Sequence, residues 1–370
     1  MQLGVSLYFH AFFGFRIFAE KYQGMEDISL SSFDGQTFFT SLMPGVKVSS
    51  QTACLVTVSV DGVSVFSETL HPVGGFITLS ELGELLEPFV RGSLACSVTI
   101  SSTPIGGSAT TATATVLYAM VDVGIAAATF YGSHFLTILQ GEKVTAMGRL
   151  EHLWYYGNDA AYVAAEYSDG TEHTFEAVMA TGNNRYSCID ASPSHYVMAG
   201  KTLVAYTVSA GERTQGYVLE PLIPDCAPIL EFYNSFGVWE HLYCTGTHRV
   251  APEYKRNTAR IHGRLKQYKV EETRKFEADT GILTPVMAAW ADELFRSDLV
   301  YVVNVYNGEV CSEDQGREVV ITESKSEVSN EDDDLPHFSF TYQYAQRIHN
   351  VLDLTRVGRI FDNTFDHTFN

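Results

Sequence analysis

The chain has 370 residues, enough for two or three domains with cores of their own. Hydrophobic residues make up 45% and charged residues 18%, and the formal charge of −20 disfavours nucleic-acid phosphates and anionic membrane as partners. No run of 18 uncharged apolar residues occurs, so no transmembrane helix and no membrane insertion are expected.

The opening MQLGVSLYFHAFFGFRIF is apolar and aromatic. It lacks a basic leader and a small-residue cleavage site, so it reads as a sticky arm rather than a secretory signal. Asp34-Gly35, Asp61-Gly62, Asp169-Gly170 and Asn307-Gly308 each sit between alternating runs and predict hairpins, because glycine accepts the positive φ of a tight turn. Further strands are predicted over 94–100, 112–123, 145–156, 202–210 and 337–344. The 102–115 stretch reads as a long loop or edge, and 219-LEPLIPDCAP-228 as a joint. Helices are few. Ser80 is placed to cap ELGELLEPFV, with Leu82, Leu85 and Leu86 on one face. Thr284-Pro285 opens a helix over 284–296, with Val286, Trp290 and Leu294 sharing a core face beside Ala289.

The expected fold is therefore mainly β, with two or three β-sandwich or jelly-roll-like domains and a few short helices. The expected boundaries are an N-terminal β domain over 1–124, a second over 125–224, and a third over 225–350. A docking tail over 351–370 follows.

Signatures of chemistry are missing from the sequence. It holds no GxxxxGK[ST], GxGxxG, HExxH or GxSxG motif. Cys54, Cys96, Cys188, Cys226, Cys244 and Cys311 form no CxxC pair and read as buried free thiols. Glu331, Asp332, Asp333 and Asp334 run consecutively and alternate in direction along an extended chain, which rules against a calcium loop and favours a charged lip before a strand. No catalytic residue, metal ligand or cofactor is expected, and a non-enzyme is the first reading. A glycan hydrolase with two unassigned carboxylates is the third.

Residues 255–275 reverse the sign of the charge, holding 8 of the 24 basic side chains. Arg260, His262, Arg264 and Lys266 alternate with apolar residues there, so a single strand would carry a basic ladder on one face. Such a ladder fits either an acidic surface of another copy, in a ring or tube, or acids of its own domain such as Glu271, Glu272 and the 331–334 run. The C-terminal FDNTFDHTFN spaces Phe361, Phe365 and Phe369 on one face, as a docking peptide would. The assembly interface is thus expected at Arg260, His262, Arg264, Lys266, Phe361, Phe365 and Phe369. For a carbohydrate-binding module, Trp239 and Trp154 are the candidate sugar contacts, with the core as the alternative place for both.

The segments 231-EFYNSFGVWEHLYCTGTHRV-250, NTARIHGRLKQYKVEETRKFEADTGILTPVMAAWADELFRSDLVYVV and 337-HFSFTYQYAQR-347 resemble proteins from tail modules of phages and prophages of Bacteroides-type bacteria, over roughly residues 225–350. The resemblance implies a β-rich virion component of the tail tip, distal tail or baseplate, made in the host cytoplasm. Its implied partners are copies of itself and other tail proteins. A receptor- or carbohydrate-binding β-sandwich recognising a cell-surface glycan is the alternative.

Overall fold

The computed structural model describes residues 26–180, 185–220, 227–306, 309–310, 316–326 and 335–345. The chain divides into two units, residues 1–128 and 129–370. Both are built mainly from β-sheet with a few short helices, which is the fold class read from the sequence.

The first unit runs β1 (Ile28–Ser29), α1 (Leu30–Phe33), β2 (Thr37–Phe39), β3 (Val46–Ser49), β4 (Cys54–Val60), β5 (Val63–Leu70), β6 (Phe76–Leu79), α2 (Leu82–Ser93), β7 (Ala95–Pro104) and β8 (Thr110–Leu117). A five-stranded sheet has the order β2-β8-β7-β4-β5, and a three-stranded sheet has the order β1-β3-β6. Strict alternation decides the inner face of the larger sheet. Val56, Val58, Val98, Ile100, Ala112 and Ala114 are buried, while the residues between them are mostly Ser and Thr. Asp61 and Gly62 have φ of 47° and 84°, the two positive angles of the tight turn that the sequence predicts there.

Several expectations for this unit are corrected. Asp34-Gly35 makes no hairpin: Asp34 caps the C-terminal end of α1, Gly35 has φ 71°, and β2 then pairs in parallel with β8. A left-handed glycine ends a helix as readily as it turns a hairpin. Ser80 does not cap α2, because Glu81 holds the cap position and offers no side-chain hydrogen bond. The 102–115 stretch is not a long loop but the tight connection and paired ends of β7 and β8.

The second unit continues, after α3 (Ala127–Ser133), with β9 (Lys143–Thr145), β10 (His152–Tyr156), β11 (Ala161–Tyr167), β12 (Glu172–Glu176), β13 (Val178–Ala180), β14 (Tyr186–Asp190), β15 (Leu203–Ala210), β16 (Arg213–Leu219), β17 (Ile229–Tyr233), β18 (Trp239–Tyr243), β19 (His248–Ile261), β20 (Arg264–Asp279), α4 (Pro285–Ala291), β21 (Val300–Val303), β22 (Val305–Tyr306), β23 (Glu309–Val310), β24 (Arg317–Lys325) and β25 (Ser339–Tyr344). The expected single strand over 145–156 is instead two, β9 and β10, in different sheets. A sheet of order β12-β11-β15-β16-β9 and a small one of order β10-β14-β13 enclose a tyrosine-rich core. In it, Tyr206 and Tyr217 stack at 4.7 Å.

A seven-stranded sheet, β18-β17-β21-β24-β25-β20-β19, holds the other core. Thr284 caps α4 by accepting from the Met287 amide, with Pro285 in the first turn. The buried face is shifted from the one expected: Trp290 and Leu294 are in the core as expected, but Val286 is not. Met287, Trp290, Ala291 and Leu294 face the core, whereas Val286 and Ala289 are exposed. An i, i+3, i+4, i+7 stripe takes over from i, i+4, i+8 where the helix tightens at Asp292–Arg296.

At the end of this sheet β19 and β20 run on beyond their neighbours. Lys275–Asp279 of β20 pair with β25, but residues 252–274 pair only with one another. The result is a two-stranded arm, about 35 Å long at ~3.3 Å per residue. His262 and Gly263, with φ of 50° and 75°, turn its tip. A lone two-stranded ribbon is marginal in water, so this one depends on its root. There Phe276 stacks on Tyr342 at 4.9 Å and meets Tyr344 at 4.9 Å, while His248 hydrogen-bonds the Tyr342 hydroxyl at 3.0 Å. Phe276→Ala is expected to destabilise the second unit by about 3–5 kcal/mol, measured by denaturant unfolding; a loss below ~1 kcal/mol would mean the root carries little.

Candidate interaction surface

The arm contains the charge reversal seen in the sequence. Cross-strand partners share a face. Arg260 pairs with Leu265, Ile261 with Arg264, and Ala259 with Lys266. Arg260 and Leu265 therefore lie on one face of the ribbon and Arg264 and Lys266 on the other. The expected one-strand ladder is overturned, because His262 and Gly263 fold the segment back on itself. All four of the basic candidates sit at the tip instead, exposed.

The basic side chains divide by height along the arm. Towards the root, Lys275 pairs with Glu253 at 3.1 Å, Arg274 with Glu272 at 2.8 Å, and Lys255 and Lys269 with Glu271. These exposed pairs each contribute little to stability. Arg256 lies over the Tyr254 ring at 4.9 Å. At the tip, Arg260, Arg264 and Lys266 have no acidic partner among the described residues. Apolar side chains stand among them: Leu265 is 71% exposed, Tyr268 67% and Ile261 41%. Tyr268 is the unmatched residue where the register shifts between Asn257 and Thr258, and a bulge of this kind throws a side chain outward. The tip thus combines exposed cations and exposed apolar side chains in a chain of formal charge −20.

The other candidates lie elsewhere. Trp239 on β18 is half-buried and meets Tyr233 at 5.1 Å and Tyr301 at 5.7 Å, edge to face in both cases. Trp154 on β10 is also half-buried, and its Nε1 has no hydrogen-bond partner among the described residues. The two tryptophans belong to different sheets. Phe361, Phe365, Phe369, the 331–334 acids, Asn307-Gly308, Cys226 and Cys311 lie outside the described residues. Cys54, Cys96, Cys188 and Cys244 are buried free thiols.

A buried polar seam inside the second unit was not legible as such in the sequence. Lys143 on β9 donates to Glu151 at 2.6 Å and to the His241 carbonyl at 3.3 Å, and its ammonium lies 4.5 Å from the Trp290 ring. Thr145 donates to the other Glu151 oxygen at 2.8 Å. The Trp290 indole donates to Glu240 at 2.9 Å. Glu293 accepts from the Ser235 amide at 2.7 Å, and its Oε2 has no partner among the described residues. Burial, then the Glu240 charge, pushes the Glu293 carboxyl up to about 7, and burial likewise raises Glu240. The only available signal was a single charge within an apolar run, as in KVTAM and VWEHLY.

Among the described residues no group of three or more His, Cys, Asp or Glu side chains could hold a metal ion, and no helix is long and apolar enough to cross a membrane.

No family model matches the chain, and no curated protein matches it. Solved structures align with it weakly. A biofilm-associated protein BSP domain is 13% identical over 52% of this chain and 28% of its own, with a TM-score of 0.14. A Bacteroides ovatus protein of the mixed-linkage glucan utilization locus, solved with a mixed-linkage heptasaccharide, is 11% identical over 65% and 66%, with a TM-score of 0.14. A Ca2+-stabilized adhesin by which an Antarctic bacterium binds ice is 10% identical over 79% and 69%, with a TM-score of 0.13. This chain thus spans less than two thirds of the length of the first two, and scores of this size carry no argument about function.

The raised Glu293 carboxyl sets a sign for pH dependence. Its folded-state pKa lies above the unfolded value, so stability is lost as pH rises from about 4.5 through about 7. Burial lowers the His152 pKa, which acts in the opposite sense as pH falls. Comparison with Glu293→Gln isolates the carboxyl. The variant is expected to gain stability relative to the parent between pH 5 and pH 8, followed by thermal unfolding at several pH values; a pH-independent difference would contradict the assignment.

Proposed function

We propose that the protein is a structural component of an assembly, docking through the β19–β20 arm onto an acidic surface of a neighbouring copy, and that the assembly is the tail tip or baseplate of a phage or prophage. The carrying observation is the arm itself: a rooted ribbon whose exposed tip combines Leu265 and Tyr268 with Arg260, Arg264 and Lys266, none of these cations neutralised by an acid among the described residues. A ribbon that buries no core gains nothing from exposed leucine and tyrosine unless a partner covers them. A heterologous contact of this kind closes into a ring or extends into a tube. The phage setting is supported by the sequence resemblance over 225–350.

A carbohydrate-binding role is a second reading, favoured by the Trp239, Tyr233 and Tyr301 cluster. Edge-to-face contacts occupy part of the ring surface that a sugar would need.

The arm tip separates the two. A variant with Leu265→Ser, Arg264→Glu and Lys266→Glu alters only exposed residues, so it is expected to fold as the parent does. Sedimentation velocity at low salt should show it shifted to smaller species. Assembly identical to the parent would overturn the arm reading. Loss of neutral-oligosaccharide binding in Trp239→Ala would then support the second.

A further inference from the structure

The five strands β2, β8, β7, β4 and β5 contain one charged side chain between them, Glu68, in a chain of formal charge −20. Their solvent-facing side is lined with hydroxyls: Thr57, Ser59, Thr99, Ser101, Thr111 and Thr113 form its centre, with Thr57 bonded to Ser67 at 3.1 Å and Thr99 to Thr113 at 3.0 Å. This neutral sheet ends in an open edge. β5 is eight residues long, contains no proline, and among the described residues is hydrogen-bonded to β4 alone. Edge strands are commonly guarded by lysines, prolines or brevity. β5 has one bulge against β4, at Val58/Ser59, and otherwise only Glu68.

Several other sheet edges are guarded or short: β12 carries Glu172 and Glu176, β19 carries the basic arm, and β2 has three residues. Beside β5, positions in line with the buried Val60 and Val58 remain uncovered: Val63 is 68% exposed and Phe66 is half-buried. Val60 and Val63 close the two-residue turn and so face each other through their backbone bonds. By alternation from that pair, with Val65 the extra residue at the bulge, Ser64, Ser67 and Thr69 direct their backbone N–H and C=O groups away from β4.

We propose that β5 is a strand-addition site for β5 of a second copy of this chain, in an isologous antiparallel pair. A two-fold axis perpendicular to the sheet keeps hydroxyl face with hydroxyl face and brings Val63 and Phe66 of both copies to the same side, where each covers apolar surface of the other. With Glu68 its one charged residue, β5 also brings little like charge into a contact between two strongly acidic molecules. This contact is separate from the arm and differs from it in kind. Main-chain hydrogen bonds between neutral strands persist in salt, whereas a cationic tip on an acidic surface does not.

Sedimentation velocity of the full chain at ~1 M salt, where the Debye length is ~3 Å, tests the proposal. A dimer is expected to persist there, also in the arm-tip variant, and to become monomeric in Ser67→Pro. Because proline could unsettle the strand, Ser67→Lys with Thr69→Lys is the second variant, both folds checked by circular dichroism. A monomeric parent at high salt overturns the proposal. So does a dimer indifferent to these substitutions. A monomer whose β5 amides resist hydrogen exchange would mean that another segment of the same chain, such as residues 1–25, covers the edge, and also overturns it.

Discussion

The functional account depends on one aromatic clamp. A two-stranded ribbon has no interior, and isolated in water it is marginal at best. The β19–β20 arm stands because its last residues are strands of a larger sheet. Phe276 and Ala278 are buried in the C-terminal core, and the rings of Phe276, Tyr342 and His248 stack across β20, β25 and β19. Above that root the sequence is free of packing demands. It fills with charges that pair within and across strands near the base and remain unpaired, among the described residues, at the tip.

Charge is used in opposite ways in the second unit. On the arm it is exposed, screened and available to a partner. In the seam it is buried and enclosed. The Lys143–Glu151 pair lies almost entirely out of solvent, at 9% and 2% side-chain exposure. Removing one partner from such a pair leaves an uncompensated buried charge and costs about 3–5 kcal/mol. Glu240 and Glu293 gather beside it around Trp290 and Ser235, where burial holds both carboxyls towards their neutral form. Two carboxyls with raised pKa could suggest acid–base chemistry. Here Glu240 is 7% and Glu293 4% exposed, and their hydrogen bonds tie the α4 region to β18 and to Ser235 in the loop before it.

Local rules were legible in the sequence and long-range ones were not. Asp61-Gly62 predicts its hairpin because the turn needs two positive φ angles and nothing else competes for the segment. The same logic fails at Asp34-Gly35, where the glycine ends a helix, and it passes over His262-Gly263, where histidine takes the position usually given to asparagine or aspartate. That one turn converts a supposed basic ladder into a two-faced tip. The core face of α4 depends on where the helix tightens, which periodicity alone does not report. The seam is invisible locally because Lys143, Glu151, Glu240 and Glu293 come from four separate segments that meet only on folding.

The central claim is that the arm tip is an electrostatic docking element between copies. Light scattering of the unmodified chain across a salt series tests it most directly. The account predicts a particle of defined mass at low salt, a multiple of the 41.0 kDa chain, that falls to smaller species as salt rises. One unchanging mass at every salt concentration would contradict it.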